Sequence, residues 1–229
     1  MALVKPARKA AEILTALRAK RPLIHNITNQ VVMNYTANAL LASGASPVMA
    51  HAREEVEEMT ALAGALVLNI GTLTASSVEA MLLAGRQANA LNIPVILDPV
   101  GSGATRFRTR TAVRLLGELS VSVIRGNASE ILSLARADTR TRGVDAVHGV
   151  DEARETALQL AHTLGTVLAI TGAVDLITDG KQTLTVSNGH EMMGYVTGTG
   201  CTATALIGAF SAVEKDPLHA ASSALAYFG

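Results

Sequence analysis

A chain of 229 residues with 19 Lys and Arg against 19 Asp and Glu carries no net charge, which excludes the basic footprint of a nucleic-acid binder and suits a small ligand met in a cleft. The length fits one α/β domain with a substantial core, and no internal repeat, low-complexity tract or linker divides residues 1–229. A single cysteine makes no internal disulfide, no Cys/His spacing matches a zinc site, and no apolar signal core or run of about 18 apolar residues occurs, so the expectation is a soluble, cytoplasmic protein with no membrane partner.

Apolar Ile13, Leu14 and Leu17 among basic residues predict an amphipathic helix over residues 6–20. Residues 22–26 read as a short strand with a polar end, and residues 30–43 as a helix capped by Thr28 or Asn29 and stopped by Gly44. The rhythm repeats: strand 46–50, acidic helix 53–63, strand 65–71, helix 74–91 with Ser76 and Ser77 near its start, and strand 94–101 carrying Asp98. Strands follow at 121–127 and 166–172. Near-continuous apolar runs alternating with helices predict parallel strands covered on both faces. Ligands bind such sheets outside the carboxyl ends of the strands, so His25, Asn26, Met49, Asn69, Asp98, Arg125–Asn127 and Thr171 are expected along one edge. A loop over 136–150, rich in Asp, Arg, Thr and Gly and holding His148, is expected to be exposed and mobile. Residues 175–186 alternate at period two around Asp179-Gly180, a hairpin that adds an antiparallel extension. Pro217 opens a last helix that reads as still running at Gly229, as in a chain cut short.

Val196-Thr197-Gly198-Thr199-Gly200-Cys201 runs directly into a small-residue helix, a turn whose first N–H groups suit a phosphate. Its plainer reading is a chain reversal with Thr199 as helix cap. Cys201 falls in the first helical turn, where the helix dipole is expected to lower a thiol pKa; its alternative is a small buried apolar side chain. Asp98, at the end of a buried strand, needs a partner, a metal or water. With Glu130 it could hold Mg²⁺ through oxygen or bridging water, while Glu130 could equally close a capping box with Asn127. Arg125 could grip a phosphate or pair with Asp98 or Glu130, Thr171 could bind a phosphate oxygen or cap a turn, and Met49 could line an apolar pocket or fill core. No Walker-type, dinucleotide or nucleophile-elbow motif is present, which sets aside a dinucleotide-binding oxidoreductase.

Six ordered blocks, beginning at His25, Ser46, Asn69, Asp98, Arg125 and Val196, resemble those of the hydroxyethylthiazole kinase family within the ribokinase-like superfamily. The resemblance implies a three-layer α/β/α sandwich, mainly parallel, and transfer of the ATP γ-phosphoryl group to 4-methyl-5-(2-hydroxyethyl)thiazole in thiamine salvage. It implies thiazole contacts at Met49 and Gly198, with Asn26 near the substrate, and ATP contacts at Arg125 and Thr171. It also implies a magnesium and phosphate region at Asp98 and Glu130, a catalytic turn at Gly198, Gly200 and Cys201, and a homotrimer with sites between subunits. Cys201 stands where the wider superfamily usually has an aspartate base, so it is expected to assist without being essential. Pyrimidine or pyridoxal kinase activity, or a non-catalytic nucleotide sensor, are the competing readings.

Overall fold

The computed structural model describes residues 6–137 and 150–229. His148 and the mobile loop expected around it lie outside the described residues.

Eight strands form one sheet among the described residues: β1 (Leu23–Ile27), β2 (Ser46–Val48), β3 (Ala65–Asn69), β4 (Val95–Asp98), β5 (Val123–Asn127), β6 (Val167–Thr171), β7 (Asp175–Thr178) and β8 (Thr183–Val186). Their spatial order is β2-β1-β3-β4-β5-β6-β7-β8. The pairs from β2 to β6 are parallel. The two pairs that add β7 and β8 are antiparallel, so the hairpin around Asp179-Gly180 extends the sheet as expected.

Burial on both faces explains the unbroken apolar runs of β3 and β4. One face, with Leu66, Leu68, Leu97 and Ile124, packs under α3 (Val56–Leu62), α4 (Ala75–Ala90), α5 (Arg106–Glu118), α6 (Ala128–Ala137) and α7 (Val150–Leu164). The other, with Ile24, Val67, Ile96 and Val123, packs under α1 (Pro6–Lys20), α2 (Met33–Ser43), α8 (Thr199–Ser211) and α9 (Pro217–Phe228). These are the three α/β/α layers. Helix α8 lies close against the sheet: a Cβ on Gly208 would sit 2.6 Å from Val67 Cγ2. Nearer its amino end, Thr204 reaches Asp98 at the end of β4.

Local chemistry accounts for most boundaries. Thr74 and Ser77 close a reciprocal capping box that starts α4. Thr105 accepts from Arg108 N to start α5, a helix with no counterpart among the elements expected from the sequence. Helix α2 departs from expectation: it begins at Met33, with Val32 at the cap position and no side-chain cap bond. Asn29 does not cap it: its Oδ1 accepts from Val31 N at 3.2 Å, ahead of the helix, while its Nδ2 donates to Asn69 and Cys201. Thr199 does not cap α8 either. Gly198, at φ +92, holds that position, while the Thr199 hydroxyl donates back to Met193 O and Val196 O. A short 3-10 turn, Glu191–Tyr195, precedes this bend.

Candidate active site

The register brings the polar strand ends side by side: Asn69 stands opposite Asp98, and Asn127 opposite Thr171. Above them α8 begins with a bare turn. Gly198 offers no side-chain cap, and Thr202 N is the first amide of the helix to reach back to Gly198 O, at 2.9 Å. The preceding amides of the first turn therefore have no partner inside the helix and project toward the strand ends, together with the positive end of the dipole. The left-handed bend at Gly198 makes this possible: any side chain there would be strained, and its Cβ would strike Val32 Cγ1 at 2.6 Å.

Asp98 is wholly buried. Its Oδ2 accepts from Asn69 Nδ2 at 2.8 Å and from the Thr204 hydroxyl at 2.9 Å. Its Oδ1 has no hydrogen-bond partner and lies 3.9 Å from Arg125 Nη1. Burial pushes the carboxyl up to about 6, outweighing the Arg125 charge and the Thr204 and Asn69 hydrogen bonds that act the other way. Arg125 Nη2 donates in turn to the Thr171 hydroxyl. The guanidinium passes beneath Gly200 so closely that a Cβ there would sit 2.4 Å from Nη1.

Glu130 is the residue for which the capping reading is realised. Its Oε2 accepts from Asn127 N at 2.9 Å, Asn127 Oδ1 accepts from Glu130 N at 2.9 Å, and Glu130 Oε1 takes Gly101 N at 2.8 Å. It thus ties the β4–α5 loop to the start of α6 while remaining next in line to Asp98.

Cys201 is partly buried. Asn29 Nδ2 donates to its Sγ at 3.4 Å. The helix dipole was expected to depress this thiol; instead burial pushes it up, and the neighbouring Asp98 carboxylate pushes the same way, against weaker help from Asn69, Asn29 and Arg125. The residue faces the centre as a thiol held by amide donors, not as a standing thiolate.

Met49 sits just past the end of edge strand β2 and is half-buried. Asn26, expected near the substrate, has no exposed surface; its Nδ2 donates to Ile24 O within its own strand. On β1 its side chain shares the face of Ile24, the face covered by α2 and α8, and its Oδ1 has no hydrogen-bond partner there. Three residues further on, Asn29 reaches the cluster instead.

Beside these groups opens a cavity of about 550 Å³. Arg125, Thr171, Gly172, Thr199 and Gly200 line it, together with residues 188–191, Met193 and Phe228. A guanidinium and a helix amino terminus lining such a cavity suit a phosphorylated ligand, whose charge needs both cation and N–H donors.

A family model described as the hydroxyethylthiazole kinase family matches residues 14–229. The chain belongs to the hydroxyethylthiazole kinase family. It is 64% identical to a hydroxyethylthiazole kinase of Desulfotalea psychrophila over 220 residues, which cover 96% of this chain and 81% of that one. The solved hydroxyethylthiazole kinase of Pyrococcus horikoshii superposes with a TM-score of 0.87 at 50% identity, covering 94% of this chain and 81% of that one. A ribokinase-like superfamily protein of Enterococcus faecalis shares the fold, with a TM-score of 0.65 at 14% identity over 92% of this chain and 78% of that one. The protein is therefore a kinase, and a kinase of this family uses ATP. No helix among the described residues is long and apolar enough to cross a membrane. Two members of the polar cluster, Asn29 and Thr204, went unassigned in the sequence. Asn29 read as a cap, and Thr204 as one more small residue in an apolar helix. The one available signal for Thr204 was a hydroxyl three residues after Cys201 on a helix aimed at the strand ends.

Proposed function

We propose that this chain transfers the γ-phosphoryl group of ATP to the hydroxyl of 4-methyl-5-(2-hydroxyethyl)thiazole, in thiamine salvage in the cytoplasm. The observation that carries the reading is the convergence of Arg125, Thr171 and the bare amino end of α8 on one cavity, with the buried Asp98 carboxylate directly behind Arg125. Arg125 and Thr171 take the ATP phosphates, and the N–H groups of Gly200 and Cys201 receive the charge that builds on the transferred group. Met49 and Gly198 face the thiazole; Asn26 is assigned no contact. The alcohol oxygen forms the new P–O bond as the bond to the β,γ-bridging oxygen breaks and ADP leaves, the hydroxyl proton passing to an oxygen of the transferred phosphoryl group and from there to solvent. Because burial keeps Cys201 a thiol, its part is to orient the alcohol rather than to strip its proton. Phosphoryl transfer tolerates this, since positioning and electrostatics supply most of its acceleration.

The donor set fits magnesium. Asp98 Oδ1 is a buried carboxylate oxygen without a hydrogen-bond partner, and Glu130 keeps lone pairs beyond the two N–H groups it accepts. Magnesium uses few protein carboxylates, retains water and shares its coordination with phosphates, so two carboxylates suffice for it. Bound there by Asp98 and Glu130, the ion would neutralise charge on the phosphates. We further propose a homotrimer with the site completed between subunits. Apolar Val31, Tyr35, Tyr195 and Val196 are exposed around Gly198, where a second copy would cover them.

The test is ADP release with Mg²⁺ and ATP across a panel of alcohols, with the ester identified by mass. The thiazole alcohol is expected to be the best acceptor. Preference for pyridoxal or a pyrimidine alcohol, or ATP binding with no turnover, would overturn the reading. Light scattering at the assay concentration checks the trimer.

A further inference from the structure

We infer that Asn29, in the loop between β1 and α2, is a positioning residue that aims the Cys201 thiol during transfer; the inference rests on the proposed function. The side chain is almost fully buried, and each of its polar atoms is committed. Oδ1 accepts from Val31 N at 3.2 Å, which fixes the amide so that Nδ2 faces the cluster. Nδ2 then donates to Asn69 Oδ1 at 2.9 Å and to Cys201 Sγ at 3.4 Å. The same logic fixes Asn69. Its Oδ1 also accepts from Gly71 N at 2.9 Å, so its Nδ2 is the group that donates to Asp98 Oδ2.

Thr204, on the same helix as Cys201, closes the circuit by donating to that Asp98 oxygen. Cys201, Asn29, Asn69, Asp98 and Thr204 therefore form a ring of side chains anchored on a loop, two strand ends and α8. Within it Sγ serves as an acceptor on the side facing Asn29, so its own proton turns to the other side, toward the cleft where the alcohol is proposed to bind. The ring has little slack: a Cβ on Gly71 would stand 2.4 Å from Asn29 Cβ. Asn29 acts through Cys201, and removing it frees the thiol to rotate.

A double-mutant cycle on the full chain tests this, with kcat, KM for both substrates and melting temperature measured for the parent, Asn29→Ala, Cys201→Ala and the double variant. Asn29→Ala is expected to lower kcat about tenfold, the scale of one hydrogen bond, with KM for ATP within about twofold. In the Cys201→Ala background the same change is expected to cost less than about twofold. An equal loss of kcat in both backgrounds would overturn the inference, because a purely structural role would not depend on the thiol. So would a Cys201→Ala enzyme as fast as the parent. If Asn29→Ala does not fold, the cycle is run with Asn29→Ser, which keeps a polar group but cannot span to Sγ, with the same outcomes required. Failure of the underlying reading shows differently: the parent itself would phosphorylate no thiazole alcohol, and both would fall.

Discussion

Gly200→Ala separates what the fold needs at this position from what the nucleotide needs. The new Cβ would lie 2.4 Å from Arg125 Nη1, 2.8 Å from Nη2 and 3.0 Å from Cζ. These atoms are the far end of a long side chain, so the guanidinium moves and the backbone stays. Alanine in the first turn of α8 gains up to about 1 kcal/mol of helix propensity over glycine, which offsets most of the residual crowding. Stability is therefore expected to stay within about 1 kcal/mol of the parent. The displaced guanidinium, however, loses the Thr171 hydroxyl and the Asp98 carboxylate that hold it at the cavity. A hydrogen bond to a charged group is worth about 1.5–3 kcal/mol, so ATP should bind about ten- to a hundredfold more weakly. Calorimetric titration with a non-hydrolysable ATP analogue reads the affinity, and a thermal melt reads the fold. Unchanged affinity in a stable variant would refute the reasoning. So would a Gly200→Ala penalty that persists in full in an Arg125→Ala background, since the effect is argued to pass through that guanidinium alone.

Two predictions concern protons. The Asp98 carboxyl titrates at about 6 in the fold against an ordinary 3.8, so between those values the folded chain holds a proton that the unfolded chain releases. Stability then falls as pH rises through that window, by up to about 3 kcal/mol in total. Asp98→Asn should remove this fall: in EDTA without nucleotide, its urea midpoint should exceed the parent's at pH 7.5 and lose that advantage below pH 4, while turnover is abolished. His25 runs the opposite way. Buried between Thr60 and Ala50 O, it has its pKa lowered by burial below 6.5. The unfolded chain takes up the proton first, and stability contributed by the neutral ring is lost as pH falls below about 6.5. The difference in melting temperature between parent and His25→Gln should therefore shrink from pH 7.5 to pH 5.5, and a constant difference would refute it.

The parts of the fold that could be read from the sequence are those governed by near neighbours along the chain. Helix α1 is fixed by the spacing of its apolar residues, and the β7–β8 hairpin by period two around an Asp-Gly turn. The strand-end residues of the site were legible for a related reason. Asn69, Asp98 and Arg125 interrupt apolar runs, and a parallel sheet sends all such interruptions to one edge. What could not be read depends on residues far apart in sequence. Asn29 has the chemistry of a helix cap, and nothing local says otherwise; it leaves that role for partners 40 and 172 positions away. The Cys201 thiol fails the expectation of a dipole-lowered pKa on the same ground. The dipole is a property of its own helix, whereas the burial and the Asp98 charge that outweigh it come from how α8 lies over β3 and β4. Asn26 and Asn29 are alike in type and three residues apart, yet one is sealed beneath α2 and α8 and the other enters the cluster, because β1 ends between them and the chain turns. A strand end thus identifies where chemistry gathers. Which neighbouring side chain does the work is decided by the loop that follows.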